Sequence, residues 1–531
     1  MTAPAAIEVP VLIVGAGPAG LCASILLSRF GVESLTVERH PGTSIYPRAT
    51  GINVRTMEIF RSLGLEQRVR HASFKACPRI SRAAVLVGPD LDSSPAGAGR
   101  PDVSPAEWTS CAQSELEPIL LQEASSHAHA QLMFGTQLLE FDSGPEGITA
   151  LIADRATGRV RTVRCQYLVG ADGSKSAVRE RAGIKMRGIG VLDRFVGIHF
   201  KAPLRDHLPR GADFLCFVQN DDVSGIFAPT DDELRWVFNV RCRPDDGKPA
   251  EWFTPERATE LVRKGAGLPG LAVDVVGLAP WSMQADSAER WRGGNVFLAG
   301  DSAHRMTPLG GLGLNTAVQD VHNLCWKLAA VLQGWAGPEL LDSYEVERRP
   351  VAHANLDRSV SLAGDAGTAS SRTRLDFDLG FRYASSAIVA DGTEPSQRID
   401  GDYEATARPG SRAPHMWFRR GRDPVSILDL FGPRFTLLAG RRGRPWLEAS
   451  TVVADELAVP LRALTVPDAS WNALYGVEVT GAVLIRPDGH VAWRRASAAD
   501  SPTVELRRIL EMVLSAGSDT SNAQVEFAAA G

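Results

Sequence analysis

The first strong pattern in the chain is an apolar run, a glycine-rich turn and an apolar helical stretch. The run Val9–Val14 is typical of a buried parallel strand. Apolar residues then recur at helical spacing, for example at Leu21 and Ile25, and Ser34–Glu38 predicts a second strand. This succession predicts a βαβ unit, and with it an α/β domain built on a parallel sheet.

The middle of the chain changes to a β pattern. Between residues 191 and 276, runs rich in aromatic and β-branched residues alternate with turn residues. The predicted strands are Phe195–Phe200, Phe214–Val218 and Trp236–Val240. We therefore expect a second sheet, inserted into the first domain.

The pattern of the first domain resumes after Pro280, with helices predicted at Ala317–Gln333 and Leu340–Ala354. A second α/β unit follows, in which Phe435–Ala439 and Val483–Ile485 predict strands and Thr503–Leu514 predicts a helix. The predicted organisation is a discontinuous first domain (1–180 and 277–363), an inserted sheet domain (181–276), a linker (364–408), a C-terminal unit (409–517) and a disordered tail (518–531).

Composition narrows the possible partners. The chain has 531 residues, of which 44% are hydrophobic and 22% charged, and a net charge of -5. Such a balance is ordinary for a globular protein and argues against nucleic acid, whose binders concentrate positive charge. The seven cysteines form no C-x-x-C pair, no signal peptide is apparent, and no apolar run reaches the roughly 18 residues of a membrane helix. We expect a cytoplasmic protein without a membrane partner.

The glycine-rich turn has the spacing of a dinucleotide-binding fingerprint, Gly15-Ala16-Gly17-Pro18-Ala19-Gly20. In that fingerprint the first glycine permits the tight turn, the second lets a pyrophosphate approach the backbone, and the third allows close helix–strand packing. The following helix begins with free N–H groups and a positive dipole end, which favour a phosphate.

Glu38, followed by Arg39, ends the second strand at the distance expected for a residue that accepts ribose hydroxyls. A carboxylate at this position disfavours a 2′-phosphate, so the turn predicts FAD or NAD rather than NADP.

Two further strands end in a glycine and a carboxylate. Leu168–Val169 leads into Gly170-Ala171-Asp172-Gly173, and Val296–Leu298 leads into Ala299-Gly300-Asp301. A carboxylate at the carboxyl end of a strand can accept hydrogen bonds from a polyol chain. The glycine-dense passage Pro308–Asn315 then opens a helix whose N–H groups could stabilise negative charge.

We call the three turns Gly15–Gly20, Gly170–Gly173 and Ala299–Asp301 the glycine corners. Together they resemble the class A flavoprotein aromatic hydroxylases, over roughly Val9 to Ala354. The segment Gly481–Gly489 is similar to the thioredoxin-like domain of the phenol hydroxylase and polyketide hydroxylase branch, and its lack of C-x-x-C predicts packing or oligomerisation rather than dithiol chemistry. Further motifs that look like the family are Tyr46-Pro47-Arg48-Ala49, Gln113, Asp320-x-x-Asn323-x-x-Trp326-Lys327-Leu328 and Tyr344-x-x-Glu347-Arg348-Arg349-Pro350.

The resemblance implies a fold: a Rossmann-like FAD-binding domain with an inserted β-sheet substrate domain, as in p-hydroxybenzoate hydroxylase, and a C-terminal thioredoxin-like domain. It also implies an activity. NADPH reduces FAD, oxygen adds to give a flavin C4a-hydroperoxide, and an aromatic substrate of the phenolic or polyketide type is hydroxylated. No second glycine fingerprint occurs in the sequence, and relatives of this kind have no separate NADPH domain.

The resemblance also implies site residues. Glu38 would hold the adenosine ribose and Asp301 the ribityl chain, while Arg48 and Gln113 lie near the flavin or its phosphates. Pro308 would back the reaction side. The full cofactor set is Gly15, Gly17, Ala19, Gly20, Glu38, Arg39, Arg48, Gln113, Asp172, Asp301, Pro308, Gly311, Gly313, Leu314 and Asn315, with Arg48 and Pro308 as catalytic candidates.

Several alternatives stay open. Leu312 stands where many relatives have Gln, so a polar contact from that side chain is in doubt. His304 could act near the flavin or be a structural histidine. Phe195, Phe214, Trp236 and Trp281 are the pocket candidates, but for each of them core packing is the more common role of a large aromatic residue.

The reaction class is open as well. One fold can support several chemistries. A Baeyer–Villiger oxygenase and a non-catalytic flavoprotein that binds or shelters a reactive intermediate therefore stay open as alternatives. NADH could replace NADPH, and a homodimer or higher oligomer is possible.

Overall fold

A computed structural model shows three packed units. Strands β1–β24 and helices α1–α12 are numbered along the chain. The residues that the structure describes are 6–46, 49–75, 77–95, 102–144, 146–208, 213–242, 252–364, 374–393, 403–420 and 423–515.

The first unit is built on a largely parallel sheet. Its strands are β1 (Ile7–Val14), β2 (Ser34–Glu38), β7 (Ala130–Phe134), β8 (Thr136–Gly144), β9 (Gly147–Asp154), β10 (Val160–Gly170), β16 (Arg292–Gly293) and β17 (Val296–Leu298). Six of them lie in the order β16-β17-β10-β1-β2-β7, and β8 and β9 extend β10 as an antiparallel pair. A small pair, β3 (Gly51–Ile52) and β6 (Thr109–Ser110), lies outside this sheet.

Helices belonging to the first unit are α1 (Pro18–Arg29), α2 (Val54–Ser62), α3 (Glu66–His71), α4 (Gln113–Ser126), α5 (Ala177–Arg181), α7 (Gly313–Leu332) and α8 (Ser343–Gly364). Because helices cover the sheet, β1 is apolar from Val9 onward, and Val11 to Ile13 are fully buried. Helix α1 packs against α7. No helix in the described part of the chain is both long and apolar enough to cross a bilayer.

The register of the three central strands sets the position of their turns. Val14 is paired with Gly170, and Gly170 is paired with Leu298, in parallel strands. The turns that follow β1, β10 and β17 therefore leave the sheet at one edge. This edge is where ligands bind in open α/β sheets.

The second unit is an antiparallel-rich sheet. Its strands are β4 (Cys77–Ala83), β5 (Asp90–Pro95), β11 (Met186–Lys201), β12 (Asp213–Gln219), β13 (Ser224–Pro229), β14 (Arg235–Arg241), β15 (Asp274–Ala288) and β18 (His304–Arg305), in the order β18-β15-β11-β14-β13-β12-β4-β5. The three strands predicted from the sequence lie within β11, β12 and β14. Strands β4 and β5 join them from outside the predicted range 181–276. The apolar run of this stretch, Ala83–Val87, lies mostly between the two strands, so the hydrophobic pattern does not indicate either of them.

The two faces of this sheet have different surroundings. Along β11, Val196, Ile198 and Phe200 belong to a hydrophobic core that includes helix α6 (Pro255–Ala266). The alternate residues Phe195, Gly197 and His199 therefore lie on the other face, which we call the open face.

The C-terminal unit is a mixed sheet with helices. Its elements are β21 (Phe435–Gly440), α10 (Arg444–Leu457), β22 (Leu461–Val466), α11 (Ala469–Tyr475), β23 (Ala482–Ile485), β24 (Val491–Arg495) and α12 (Pro502–Leu514), preceded by the hairpin β19 (Trp417–Arg420) and β20 (Asp423–Ser426). The strand order β22-β21-β23-β24, with only β21 and β22 parallel, is the thioredoxin-like arrangement. The predicted fold class is confirmed.

The stretch suggested as a linker is packed where the structure describes it. Helix α9 (Arg374–Leu379) carries the buried Asp378, whose carboxylate accepts a hydrogen bond from the side chain of Asn53 at 2.9 Å. Tyr383 and Tyr403 are also buried. The predicted tail, 518–531, lies outside the described residues.

A buried ionic cluster joins the first unit to the C-terminal unit. The Arg486 guanidinium, at the turn between β23 and β24, donates to both carboxylate oxygens of Glu347 at 2.6 and 2.9 Å. Arg486 also contacts Asp488, and Lys327 Nζ lies 2.8 Å from Glu347. Asn323 donates to both Glu347 and Asp488, so α7 and α8 are tied directly to this turn.

Candidate active site

Two glycines of the first corner are required by the protein itself. Gly15 has φ of +104°, and a Cβ there would lie 2.3 Å from the carbonyl oxygen of Ala171. A Cβ on Gly20 would lie 1.9 Å from the carbonyl oxygen of Gly15. Gly17 differs, because a Cβ there would meet no heavy atom within 4 Å. The bare backbone at Gly17, the N-cap of α1, therefore leaves space that fits a pyrophosphate.

Glu38 lies beside this corner at the end of β2. Its Oε2 accepts a hydrogen bond from the Ala16 N–H at 2.9 Å, and its Oε1 accepts from the His40 N–H at 2.8 Å. A carboxylate has about four acceptor positions, so two are left for ribose hydroxyls. Arg39 is exposed, with its Nε 3.3 Å from His40 Nε2.

Asp172 follows β10 and contacts the start of helix α5, whose N-cap residue is Ser176. The Ser176 hydroxyl donates to one carboxylate oxygen, and the Val178 N–H donates to the other at 3.1 Å. Burial raises the pKa of Asp172 above its usual range. The carboxylate therefore has a local structural role at this edge.

The third corner is Gly300-Asp301, which follows β17. Gly300 has φ of +63°, and a Cβ there would lie 3.0 Å from the Ala317 Cβ and 3.6 Å from the Ala19 Cβ. These contacts bring α1, α7 and the corner together. Asp301 itself is exposed at the sheet edge, as a ligand of a bound cofactor must be.

Asp320 of α7 holds this third corner in position. Its Oδ2 accepts a hydrogen bond from the Gly300 N–H at 3.1 Å and lies 2.7 Å from His304 Nε2. Its Oδ1 accepts from Arg348 Nε at 2.9 Å. His304 is fully buried in this cluster, which agrees with a structural histidine and gives no sign of a catalytic one.

The passage from Pro308 to Asn315 leads into α7. A Cβ on Gly313 would meet no heavy atom within 4 Å, so the helix start is open to a ligand. Asn315 is buried and bound to the protein: its Oδ1 accepts from the Asn53 N–H at 2.9 Å, and its Nδ2 donates to the carbonyls of Gly51 and Gly311. The remaining positions are Pro308, which is exposed, Gly311 and Leu314, which are half-buried, and Leu312, which is buried.

Gln113 fastens the loop that follows β2. Its backbone N–H donates to the carbonyl of Ala49 at 2.7 Å, and its side chain donates to Glu117 at 2.6 Å. Glu117 in turn accepts from the Ser44 N–H at 2.6 Å. Arg48, predicted within this loop, lies outside the described residues.

The four predicted pocket aromatics do not share one position. Phe195 and Trp281 stack on the open face with ring centres 4.6 Å apart, and Trp281 Nε1 donates to Asn239 Oδ1 at 3.0 Å. Trp236 lies on the other face, only 3% exposed within the core against α6, so it is removed from the candidate pocket. The side chain of Phe214 is outside the described part of the structure.

Sequence reasoning missed other residues of the open face. His199 and Tyr46 contact each other with ring centres 4.7 Å apart, and a Cβ on Gly277 would lie 3.0 Å from the Tyr46 hydroxyl. Burial lowers the pKa of His199 to about 4, so its imidazole is neutral near pH 7. The signal was present, since His199 is an even number of residues from Phe195 and must share its face.

The open face and the glycine corners meet at shared elements. Tyr46 belongs to the loop after β2, two residues before Arg48. At the start of β14, Arg235 lies 3.6 Å from Glu115 in the first turn of α4, next to Gln113. Strand β18 follows the Gly300-Asp301 corner and pairs with β15 of the second sheet. A dinucleotide on the corners would therefore lie near the open face.

Comparison with known proteins agrees with this geometry. The family profile described as "FAD binding domain" matches residues 8–359, and the one described as "Aromatic-ring hydroxylase, C-terminal" matches residues 406–516. The chain is 38% identical to the tetracenomycin A2 monooxygenase-dioxygenase of Streptomyces glaucescens, over 97% of this chain and 98% of that relative.

Two solved structures are similar over almost the full length. The flavin-dependent monooxygenase PieE, in complex with FAD and substrate, has a TM-score of 0.89 and 34% identity, and covers 96% of this chain and 99% of its own. Aklavinone-11 hydroxylase, in complex with FAD and aklavinone, has a TM-score of 0.88 and 38% identity with the same coverage. The predicted family is confirmed: this chain belongs to the FAD-dependent aromatic hydroxylases, which are flavoprotein monooxygenases.

Proposed function

We propose that this enzyme uses NADPH and O2 to hydroxylate a planar, multi-ring phenol of the polyketide type. The observation that carries the proposal is the open face of the second sheet, where aromatic rings line a surface next to the glycine corners. Relatives of similar length that act on such rings, a tetracenomycin A2 monooxygenase-dioxygenase and an aklavinone hydroxylase, support it.

The overall reaction balances without a further reactant. NADPH, a proton, O2 and an aromatic C–H give NADP⁺, water and an aromatic C–OH. When bound, FAD supplies the two-electron chemistry that couples the nicotinamide to oxygen. The protein holds both partners and keeps water away from them.

In this proposal the sheet edge holds the dinucleotide. The N–H groups at the start of α1, left open by Gly17, would bind the pyrophosphate. Glu38 would accept the hydroxyls of the adenosine ribose, and Asp301 would accept those of the ribityl chain. Asp172 would support this edge through α5.

The start of α7 would face the reacting end of the flavin. Its N–H groups around Gly311, Gly313 and Leu314 and its positive dipole end favour the negative charge that a reduced isoalloxazine develops. Asn315 would fix this helix start through its bonds to Asn53 and Gly51. Pro308, Arg48 and Gln113 would complete the surroundings of the flavin.

The substrate would lie on the open face, against the stacked Phe195 and Trp281. A planar ring system suits these stacked rings, because aromatic pairs gain about 0.5–1.5 kcal/mol beyond the area they bury. A cytoplasmic location belongs to the same proposal. It is supported by Cys22, Cys165 and Cys325, which are buried and in no disulfide.

The test is anaerobic reduction of the purified FAD-bound enzyme by NADPH, and separately by NADH, with monocyclic and multi-ring phenols. We expect a multi-ring phenol to accelerate flavin bleaching at least about tenfold, which is some 1.4 kcal/mol in activation free energy. With labelled oxygen gas, the product should gain one labelled atom as a ring hydroxyl.

Other outcomes identify the competing functions. A labelled ester or lactone would show a Baeyer–Villiger reaction instead. Bound FAD without stimulated NADPH oxidation by any phenol would indicate a flavoprotein that binds or shelters a ligand, and would contradict the hydroxylase.

A further inference from the structure

A glycine lies within β11, the longest strand of the second sheet. Gly197 of β11 is paired with Asn239 on one side and with Ala279 on the other. Glycine weakens a strand interior and often marks close approach of a ligand. The glycine is on the open face, so the space it leaves faces the proposed substrate site.

The surroundings of that space are polar. A Cβ on Gly197 would lie 3.2 Å from Asn239 Oδ1 and 3.5 Å from His199 Nε2. It would also lie 3.5 Å from the carbonyl oxygen of Ala279. A ligand atom in van der Waals contact with Gly197 would lie further from the sheet than this Cβ position, with Asn239 Oδ1 and His199 Nε2 as the nearby side-chain polar atoms.

The two side chains have different hydrogen-bonding capacities. Asn239 Oδ1 accepts from Trp281 Nε1 and keeps a second acceptor position. A neutral His199 has one N–H donor and one acceptor. Neither ring nitrogen of His199 has a hydrogen-bond partner within the described part of the chain.

We propose that a free hydroxyl group of the aromatic substrate occupies the space above Gly197, donating to Asn239 Oδ1 and accepting from the N–H of His199. The inference rests on the proposed function and narrows it to substrates with such a hydroxyl. A carbonyl there would face two acceptor oxygens. A methyl ether has no proton to donate and needs more room.

Aromatic rings border this space on two sides. Phe195, two residues before Gly197, stacks on Trp281. His199, two residues after it, contacts Tyr46. A flat ring above Gly197 would thus lie between two aromatic pairs while its hydroxyl reached the polar groups below.

The test measures binding to the oxidised, FAD-bound enzyme without NADPH. The probes are 2-hydroxyanthraquinone, 2-methoxyanthraquinone and anthraquinone, and the signal is the change in flavin absorbance. We expect the hydroxyl compound to bind at least about tenfold more tightly than the other two, because a site built around a hydroxyl rejects analogues that lack it.

Three variants test the assignment. His199→Phe keeps a ring against Tyr46 but removes the nitrogens, and Gly197→Ala fills the space. Each should reduce the hydroxyl preference to about twofold or less at unchanged FAD content. His199→Gln, whose amide can donate, should restore part of it. Ile198→Val, on the opposite face of the same strand, is the control and should keep the full preference.

Equal binding of the three probes by the wild-type enzyme, or no binding of any, would overturn the inference. So would a hydroxyl preference that survives in His199→Phe. If Gly197→Ala fails to fold, His199→Phe decides. Because no turnover is involved, the result is independent of whether the enzyme hydroxylates any probe.

Discussion

At the scale of single residues, the three fingerprint glycines have different neighbours. The Cβ positions of Gly15 and Gly20 are filled by protein backbone, whereas that of Gly17 is open. The fold therefore accounts for Gly15 and Gly20, whereas we expect Gly17 to be needed for the binding of FAD.

This difference can be measured. Gly17→Ala should leave the melting temperature of the FAD-free protein within a few degrees of wild type, but should weaken FAD binding by about 2 kcal/mol, roughly 30-fold, by displacing the pyrophosphate. Flavin fluorescence titration checks the affinity. Gly20→Ala is the matched variant, and it should destabilise even the FAD-free protein. Equal FAD affinity in Gly17→Ala and wild type would contradict this explanation.

The sequence indicates candidate residues where the local backbone requires them, and it does not indicate residues that only tertiary packing brings together. The glycines and Glu38 follow from turn geometry and strand ends, which are local. Trp236 is a pocket candidate from the sequence because it is aromatic. The face of the sheet on which it lies depends on the pairing of β14 with β11, which places Trp236 beside Phe200. His199 is not a candidate from the sequence, because a polar residue in a strand is expected to be exposed to solvent unless the packing of the sheet is known.

At the scale of elements, helix α7 connects the glycine corners to the rest of the first unit. Its first turn is fixed to β3 and α2 by Asn315, and its middle is fixed to Gly300 by Asp320. The helix itself was predicted from its apolar spacing. Its anchoring could not be predicted, because two partners of Asn315, Asn53 and Gly51, lie 262 and 264 positions earlier in the chain.

Removal of the Asn315 side chain should loosen this helix start. Asn315→Ala leaves the Asn53 N–H and the carbonyls of Gly51 and Gly311 without that partner, so we expect a loss of about 2–4 kcal/mol in the free energy of unfolding and weaker FAD binding. Asn355→Ala is the control, because Asn355 is also buried but, among the residues that the structure describes, its side chain donates to Thr316 alone. It should cost about 1 kcal/mol in urea denaturation and leave FAD affinity intact. Equal effects of the two variants would be the contrary result.

At the scale of the whole molecule, buried charges join the C-terminal unit to the first unit. Burial lowers the pKa of Lys327 to about 8, while Arg486 and Lys327 hold the pKa of Glu347 below its usual range against the opposing effect of burial. Arg55 adds a second contact by donating to the carbonyl of Asp488 at 2.7 Å. Such clusters are vulnerable, because a charge left without its partner in the interior is costly.

Arg486→Met should therefore be strongly destabilising. It leaves Glu347 and Asp488 buried without their guanidinium, and we expect a loss of about 3–5 kcal/mol in the free energy of unfolding. Arg507→Met removes an exposed pair with Glu456 and should change stability by less than about 1 kcal/mol. Calorimetry or urea denaturation compares them, and a small effect of Arg486→Met would count against an essential cluster.

The edge of the first sheet brings together residues from distant parts of the chain. Gly17 and Glu38 come from its beginning, whereas Asp301 and Gly313 come nearly 300 positions later, after the whole inserted sheet. During synthesis on the ribosome, the early residues of this sheet edge are therefore made long before the late ones. Such non-local contacts slow folding, and we expect FAD to bind late, after α7 has been synthesised.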